Sequence, residues 1–491
     1  MATKKTRPRV AERAAPLPPL LFATSDRAEQ KVLAALKRSG RIRRIGPRLY
    51  TSVPAAKLAA TVQGAWTTIV DRLFPDTLLS HRSAIELAPS PDGELFLTSN
   101  TNREVTYPGL RLRFVRGPAA LEDDTRLLHF RGSSLARALL ENLSTRHRDD
   151  RALPVAKVEE RLEKVLHVDG ESGLNQLRDR AREIADELGW RAQFRRLDRL
   201  IGALLGTRAG TLKSSIGQAR AVGEPFDASC LGRLQLLFAA LREPIPDLND
   251  PFGKSSHFTN KAFFDAYFSN YIEGTTFEIE EAETIVFDNK IPRERPKDAH
   301  DIAGTFEIVG DPSGIRRVAA DFETFLELLR GRHAVMMAQR PEAQPGAFKR
   351  VPDRAGETHF VHPDYVVGTL RKGFALYRDL DAGIARAAFV MFLVADVHPF
   401  VDGNGRSARV MMNAELVSAG RSTIIIPTVY RDDYLQALRA LTRRHRPRPL
   451  VDMLVKAQRF STIDFSSYPV VLAELQRRNW FAEPDEARII E

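Results

Sequence analysis

Two residues with acid–base and metal-binding chemistry lie in one short polar segment, His398–Arg409. His398 is the group in this segment that can accept a proton near neutral pH, so it is a candidate general base for an attacking hydroxyl. Asp402 offers a hard carboxylate oxygen of the kind that binds a Mg²⁺ ion bridging two phosphates. Taken singly, such a histidine is more often a helix cap and such an aspartate a surface group. Because the two residues lie so close together, a functional site is the favoured interpretation.

The same segment contains a glycine-rich turn, Gly403–Gly405, with Asn404 at its centre. Glycines allow successive backbone N–H groups to converge, and the next helix begins there with the positive end of its dipole. Arg406 and Arg409 are three residues apart on the first turn of that helix and share a face. Their guanidinium groups can therefore donate to further phosphate oxygens. The segment is predicted to bind a phosphate chain.

Two apolar segments must position this loop. The almost wholly apolar run Ile384–Val397 predicts a buried helix that ends as Pro399 arrives. Downstream, Ser407–Ser418 has the periodicity of a second core helix. We expect the polar loop to lie between two buried helices, which makes a chance combination of base, metal ligand and arginines improbable.

The polar loop matches the signature H-P-F-x-[D/E]-G-N-[G/K]-R-x-x-R of Fic proteins at every defined position. The chain resembles this family over residues 255–460. The resemblance implies an all-α core that transfers AMP from Mg-ATP to a Ser, Thr or Tyr hydroxyl of a target protein. ATP and a target protein are thus the implied partners, and Mg²⁺ is the implied cofactor.

The resemblance also implies a role for each residue of the loop. His398 deprotonates the target hydroxyl, and Phe400 anchors the loop in the core. By the same resemblance, Asp402 holds Mg²⁺ at the α- and β-phosphates. Phosphate oxygens are bound by Gly403, Asn404 and Gly405. The outer phosphates are bound by Arg406 and Arg409. The polar insertion at residues 346–362 resembles the family's β-hairpin flap, with strands expected at 348–350 and 358–361. Such an exposed edge can bind a target backbone by β-augmentation.

A second motif, Ser269-Asn-Tyr-Ile-Glu273-Gly274, ends a helix predicted over residues 260–274. Ser269 and Glu273 share a face because they are four residues apart. Glu273 alone reads as a surface carboxylate, but [S/T]-x-x-x-E-[G/N] is the inhibitory motif of Fic proteins. The resemblance implies an ion pair between Glu273 and Arg409 that competes with the γ-phosphate of ATP. It equally allows Glu273 to orient a water for AMP removal, and the sequence leaves both roles open.

The basic charge is concentrated at the N-terminus. Residues 1–50 contain 13 Lys and Arg against 3 Asp and Glu, an excess equal to the net charge of the whole chain, +10. Asp26 is expected to cap a helix, followed by a two-stranded ribbon at residues 41–45 and 48–52. Its exposed cations are candidates for DNA contact: Arg41, Arg43, Arg44 and Arg48. A solvated tail and a protein-binding surface are the alternatives.

Residues 26–205 resemble abortive-infection antitoxins of the AbiEi type. The matching segments are a wing at Arg41–Thr51, a segment LSHRSAIEL at Leu79–Leu87 and a later helix at Ser133–Leu143. The resemblance implies a winged-helix-like α+β module at the N-terminus.

The predicted fold class is mostly α, with an all-α Fic core and a small β-hairpin flap preceded by the α+β module and a helical region. The expected divisions are a disordered leader at 1–25, the module at 26–130, helices at 131–243, the Fic domain at 255–460 and an extension at 461–491. The longest apolar run is too short to span a membrane, and no secretory signal is evident. With a single cysteine, Cys230, these features predict a cytoplasmic protein.

Three functions remain open from sequence. The first is a regulated protein adenylyltransferase with an N-terminal DNA- or partner-binding module. The second is a transcriptional regulator or antitoxin in which the Fic domain is secondary. The third is a hydrolase that removes AMP through Glu273.

Overall fold

The computed structural model describes residues 17–144, 150–208, 212–221, 223–252 and 255–490. Its chain divides into two compact units, residues 1–217 and 218–491. Most of the described chain is helical, with small sheets confined to the N-terminal unit and to one hairpin. This confirms the predicted mostly-α class. Within the described ranges, no helix is both long and apolar enough to cross a membrane.

The first described elements of the N-terminal unit are a small sheet and one helix, which lies between the first two strands in sequence. The Asp26 side chain caps this helix by accepting the Ala28 N–H at 2.6 Å, as the sequence predicts. Three strands pair antiparallel in the order β1-β3-β2. The first elements are β1 (Leu20–Phe22), α1 (Arg27–Arg38), β2 (Arg43–Gly46) and β3 (Leu49–Thr51).

A six-stranded sheet follows, in the order β6-β7-β5-β4-β9-β8. Strands β5 and β7 are parallel neighbours in this sheet. Nearly all side chains of β5 are buried, whereas buried side chains alternate with more exposed ones along β7. The buried apolar side chains of both strands belong to one cluster with those of the preceding helices. The elements are α2 (Ala55–Gly64), α3 (Trp66–Leu73), β4 (Leu78–Leu79), α4 (His81–Glu86), β5 (Glu94–Ser99), β6 (Arg103–Tyr107), β7 (Leu110–Arg116), β8 (Thr125–Arg126) and β9 (Arg131–Gly132).

Helices complete the N-terminal unit around a separate apolar cluster that includes Leu139, Leu162 and Leu197. They are α5 (Leu135–Asn142), α6 (Val155–Leu188) and α7 (Arg191–Leu204), and the boundary between the units falls within α8 (Ser215–Ala221). The long helix α6 is interrupted at Gly170, whose φ of 69° is left-handed. Glycine tolerates this conformation without the Cβ penalty of other residues.

The C-terminal unit is a helical domain with one hairpin. Its elements are α9 (Ala228–Leu241), α10 (Ser255–Ile272), α11 (Ile279–Phe287), α12 (Pro296–Val309), α13 (Phe322–Met336), β10 (Arg354–Ala355), β11 (Thr358–His359), α14 (Val366–Arg378), α15 (Ile384–Val397), α16 (Asn404–Ser418), α17 (Arg431–Arg444), α18 (Arg448–Ser461) and α19 (Tyr468–Arg477).

The central pair of this unit is α15 and α16, whose connecting turn is the polar loop. Nearly every side chain of α15 is buried, as its apolar sequence predicts. Helix α16 is buried on almost all sides as well, although it carries polar residues. Those polar side chains must find partners inside the unit, because a buried unpaired polar group is costly.

Several expected boundaries differ in the structure. Leu20–Phe22 is a strand paired with β3, although it falls in the leader expected to be disordered; residues 1–16 of that leader lie outside the described residues. The unit boundary is at residue 217 instead of the Pro-rich segment after 243. Leu475 and Trp480, within the expected extension, belong to the core of the C-terminal unit.

The second strand of the flap hairpin lies within the expected 358–361, whereas the first lies elsewhere than expected. Its strands are β10 and β11, paired antiparallel across Gly356, and residues 348–350 form no strand. Lys349 is instead buried, and its backbone N–H donates to the carbonyl of Pro399 at 2.8 Å. Sequence reasoning failed here because a two-residue strand carries too few alternating positions to be recognised.

Candidate active site

Helix α15 ends at His398, the first residue of the polar loop. His398 takes a left-handed conformation, φ 52°, and its N–H closes the helix on the carbonyl of Val394. Proline at 399 then prevents the helix from continuing. The His398 side chain remains 25% exposed, so a substrate group can reach it from the surface of the unit.

The imidazole of His398 is held on two sides by residues that flank the hairpin. Its ring stacks on Phe360, with centroids 3.8 Å apart and planes 6° from parallel. Nδ1 lies 2.6 Å from Oδ2 of Asp353, and Lys349 Nζ donates to the other oxygen of that carboxylate. Burial would raise the pKa of Asp353, but its hydrogen bonds with His398 and Lys349 hold this pKa below the ordinary value.

The middle of the loop is fixed by Phe400 and Asn404. Phe400 is completely buried, which agrees with its expected anchoring role. Asn404 Oδ1 accepts the Phe400 N–H at 2.9 Å, and its Nδ2 donates to the Phe400 carbonyl at 2.9 Å. The Asn404 side chain is therefore engaged in closing the loop, so its backbone N–H is the group left for an anion.

His333 on α13 supports the polar loop through contacts with Phe400 and Asp402. It stacks on Phe400 at 3.6 Å with planes 3° apart. Its Nδ1 accepts the Gly346 N–H at 2.9 Å, so the ring proton is on Nε2 and points to the Asp402 carbonyl 3.0 Å away. Burial, together with the nearby Arg406, lowers the pKa of His333 to about 4. This histidine is a neutral structural support.

Helix α16 begins at the glycine turn, and the first N–H groups of a helix have no acceptor within it. Gly403 has a left-handed φ of 74°. A Cβ at Gly405 would lie 2.1 Å from Oε1 of Glu273, so the glutamate side chain would have to move to admit one. The Glu273 carboxylate thus rests against the turn predicted to bind phosphate.

Arg409 is almost fully buried and points to the end of α10. Its Nε donates to Ser269 Oγ at 2.9 Å, and its Nη2 donates to the Ser269 carbonyl at 2.8 Å and to Glu273 Oε1 at 2.7 Å. Burial would lower the pKa of Arg409, but the Glu273 carboxylate raises it above the ordinary value. The ion pair between Glu273 and Arg409 is therefore present in the structure.

Helix α10 ends in the predicted way, though it begins earlier, at Ser255. Gly274 follows with a φ of 90°, and its N–H returns to the Tyr271 carbonyl at 2.9 Å. A left-handed glycine after a helix is a common terminator. It fixes Glu273 at the last turn, one residue before the chain reverses.

Arg406 behaves differently from Arg409. Its side chain is 3% exposed, and Nη1 lies 2.9 Å from Asp301 Oδ2 and 3.2 Å from Asn270 Oδ1. Asp301 is shared with Arg340, whose Nε donates to both of its oxygens at 2.9 Å. The two arginines share the predicted face. Arg406 binds the buried Asp301 carboxylate through Nη1, whereas its Nε has no hydrogen-bond partner among the described residues.

Asp402 fits a magnesium ion held mainly by phosphates. Its side chain is 57% exposed, and Oδ1 accepts the Gly403 N–H at 2.6 Å, which orients the carboxylate. Across the described ranges, no group of three or more His, Cys, Asp and Glu residues is placed to bind a metal. Mg²⁺ commonly binds through one or two carboxylates together with substrate phosphates and water, so one exposed aspartate suffices.

The predicted DNA-contact residues belong to the N-terminal unit. Arg41, Arg43, Arg44 and Arg48 are all exposed on or beside β2 and β3. Arg44 and Arg48 each use Nε to donate to a backbone carbonyl, of Gly46 at 3.1 Å and Ala23 at 3.3 Å. The helix-plus-ribbon arrangement is observed, with β1 as an additional strand that was not expected.

The polar loop lies in a segment that matches a known protein family. Residues 323–416 match the family model described as Fic/DOC family. This part of the chain is a Fic domain. It contains nearly all of α13, the hairpin and the whole of the polar loop, whereas Glu273 lies outside it.

Curated relatives match parts of the chain. The chain is 23% identical over 211 residues to protein adenylyltransferase fic-1 of Caenorhabditis elegans, which covers 40% of this chain and 41% of that protein. It is 42% identical over 53 residues to protein adenylyltransferase Fic of Drosophila persimilis, covering 11% and 10%. The chain thus matches less than half the length of these relatives.

Solved structures of Fic proteins align with this chain at low identity. A fragment of Fic-1 from C. elegans has a TM-score of 0.37 at 17% identity, covering 65% of this chain and 92% of that chain. A variant of IbpAFic2 in complex with adenylylated Cdc42 has a TM-score of 0.32 at 15% identity, covering 62% and 87%.

Sequence reasoning missed the residues that support the loop from a distance. Asp353 and His333 lie 45 and 69 positions from their loop partners along the chain, and Asp301 is farther still from Arg406. No spacing rule connects such residues. The ion pair between Lys349 and Asp353 in the flap segment gave no signal either, because residues four apart are expected to be neighbours only on a helix and this segment is not helical.

We predict that His333→Leu destabilises the C-terminal unit, by about 2–4 kcal/mol in free energy of unfolding. The substitution removes the stack on Phe400 and leaves the Asp402 carbonyl and Gly346 N–H without their partner. Urea unfolding followed by circular dichroism measures the change. His359→Leu is the control, since His359 is exposed on β11; equal effects of the two substitutions would contradict the anchoring role.

Proposed function

We propose that the C-terminal unit transfers AMP from ATP to a Ser, Thr or Tyr hydroxyl of a target protein. The observation that carries the proposal is the loop itself, where a partly exposed His398 adjoins a glycine turn at the start of α16, and an anionic oxygen of Glu273 lies beside that turn. The partial relatives named protein adenylyltransferases support the same chemistry.

In the proposed reaction, the target hydroxyl oxygen attacks the α-phosphorus of ATP. A new O–P bond forms while the bond from the α-phosphorus to the oxygen bridging toward the β-phosphate breaks, and pyrophosphate leaves with that electron pair. Nε2 of His398 takes the hydroxyl proton, because Nδ1 is occupied by Asp353. The backbone N–H groups of the glycine turn stabilise the phosphate oxygens.

Asp402 is the residue that would hold Mg²⁺. When bound, this ion would neutralise phosphate charge and orient the α- and β-phosphates. The Gly403 N–H holds the carboxylate in place through one oxygen. Arg406, committed to Asp301, contributes by fixing the first turn of α16, so we assign it a positioning role and assign the grip on the γ-phosphate to Arg409.

We further propose that Glu273 inhibits the transfer. It occupies two places that the triphosphate needs, the Arg409 guanidinium and the space against Gly405. ATP that binds beside it would have its α-phosphate turned away from in-line attack. Displacement of reacting atoms by about 1 Å can cost on the order of 10²-fold in rate.

AMP removal through Glu273 is the alternative role of the same residue. The side chain is 33% exposed, so it can also contact a water near the loop. The two roles differ in what the Glu273→Gly variant does to a target that already carries AMP.

We predict that His398→Ala abolishes AMP transfer while ATP binding persists. The reason is that the imidazole acts on the attacking hydroxyl and contributes about 10²–10⁴-fold as a base. The measurement is incorporation of label from α-labelled ATP into lysate proteins and into the chain itself, beside a direct ATP-binding titration. His362→Ala, in the flap segment, is the control; transfer by His398→Ala at the wild-type rate would refute the assignment.

We predict that Glu273→Gly raises AMP transfer by about 10²-fold over wild type. Arg409 is then left with ATP as its anionic partner, so the gain should depend on Arg409 and disappear in the Glu273→Gly, Arg409→Ala double variant. Glu278→Gly is the control, because Glu278 is exposed and makes no side-chain capping bond.

The same variants separate the two roles of Glu273. Unchanged transfer in Glu273→Gly would disprove inhibition. If wild type strips AMP from a modified target and Glu273→Gly does not, then Glu273 also supports removal.

A second candidate function is DNA binding by the N-terminal unit. The favouring observation is that four arginines are exposed together on one helix-plus-ribbon arrangement, in the region that holds the chain's whole charge excess. This function would make the chain a regulator in addition to an enzyme.

We predict that Arg43→Ala, Arg44→Ala weakens binding to duplex DNA. For each DNA phosphate that the variant no longer neutralises, the slope of log affinity against log salt should become shallower by about 0.9. Arg191→Ala, Arg195→Ala is the control, because it removes the same charge from exposed positions on α7. An intact chain that binds no DNA at low salt would leave a protein partner as the role of this surface.

A further inference from the structure

Both ends of the hairpin contact His398 of the polar loop. Asp353 immediately precedes β10 and Phe360 immediately follows β11, and the Phe360 N–H donates to the Asp353 carbonyl at 3.3 Å. Asp353 contacts the edge of the His398 ring, whereas Phe360 covers its face. The hairpin and the imidazole are therefore one connected assembly.

We propose that Asp353 is a positioning residue of the reaction, which fixes the tautomer and the orientation of His398 from the base of the flap. This inference rests on the proposed AMP transfer and adds a residue to it. A target that docks on the hairpin would then bind to the same element that holds the base in place.

The hydrogen-bonding pattern determines which nitrogen of His398 carries the proton. Nδ1 has two polar neighbours, Asp353 Oδ2 at 2.6 Å and Asn404 Nδ2 at 3.1 Å. The amide orientation of Asn404 is set by its two bonds to Phe400, so its Nδ2 is a donor. Since an ionised carboxylate can only accept, the shorter contact requires a proton on Nδ1. The lone pair is then on Nε2.

Charge around the imidazole favours the same arrangement during the reaction. Among described residues, the polar and ring contacts of His398 are Asp353, Asn404 and Phe360. Lys349 is the next charge, behind Asp353, and keeps that carboxylate ionised. When Nε2 takes the hydroxyl proton, the resulting imidazolium faces a carboxylate that is already oriented, which is how an aspartate supports a histidine base in hydrolases.

The test uses the full chain in the Glu273→Gly background, with self-modification by α-labelled ATP as the reaction. Asp353→Asn is expected to lower the rate at saturating ATP by about 10²-fold or more, with the KM for ATP little changed, because the amide can present its N–H₂ to Nδ1 and reverse the tautomer. Residual activity should have its acid limb at lower pH, since the protonated ring has lost its counter-charge. Asp353→Glu should recover part of the rate.

Glu357→Gln is the matched control. It removes a carboxylate from the same hairpin, and Glu357 is 92% exposed with Arg443 as its partner at 3.7 Å. Its rate at saturating ATP should equal that of the parent. If Asp353→Asn also retains the parental rate and pH profile, the positioning role is overturned. If Asp353→Asn folds poorly, Lys349→Met provides the second variant, with a rate loss of about tenfold expected and an unchanged rate counting against the inference.

A spectroscopic measurement separates this inference from the proposed function. In the wild-type chain with ¹⁵N-labelled histidine, the His398 ring should have its proton on Nδ1, and Asp353→Asn should shift it. A proton on Nε2 in wild type would overturn the inference whatever the enzyme does. Absence of AMP transfer in the Glu273→Gly parent would overturn the proposed function and leave the tautomer measurement to decide the role of Asp353.

Discussion

The arrangement of the C-terminal unit depends on one buried charge, the guanidinium of Arg409. It is 4% exposed and lies between α10 and α16, where an unpaired cation would be strongly destabilising. Ser269 satisfies it in part through its hydroxyl and carbonyl, and Glu273 supplies the negative charge. Arg409 is also the expected partner of the γ-phosphate. Its need for a negatively charged partner, however, already follows from its burial in the fold.

Most supports of the loop are independent of the ion pair between Glu273 and Arg409. Arg406, one turn earlier on α16, is neutralised by Asp301, which in turn is held by Arg340. Phe400 is fixed by His333 on one side and by Asn404 on the other. These supports come from α12, α13, the segment after α13 and the start of α16, and Arg406 also contacts Asn270 of α10; none of them uses the Glu273 side chain. The carboxylate can therefore leave without taking the loop's anchors with it.

Sequence predicted the parts of this site that are local. The apolar run Ile384–Val397 became α15 with the same bounds, and the glycine turn lies at the start of α16. The pairing of Glu273 with Arg409 followed from a motif, not from periodicity. What could not be predicted was the set of partners from distant segments, such as Asp353 and His333, because packing in three dimensions brings them to the loop. The same limit applies to Arg406, since nothing in its own sequence neighbourhood indicates the buried Asp301 that occupies it.

The contacts along α10 limit how Glu273 can leave. Asp265, two turns before Glu273, accepts the Asn413 amide at 2.8 Å, and Asn270 donates to Thr305 at 3.1 Å while accepting from Arg406. These buried bonds fasten the body of the helix to α12 and α16. Glu273, in contrast, is the last side chain before Gly274 and is one-third exposed. A rotation of the whole helix would break several buried hydrogen bonds at once, each costing about 1–3 kcal/mol if left unsatisfied. Movement of the Glu273 side chain alone breaks one ion pair, and under the proposed function a phosphate would restore the charge balance at Arg409. The ion pair between Glu273 and Arg409 is thus located where it can be released at the lowest structural cost.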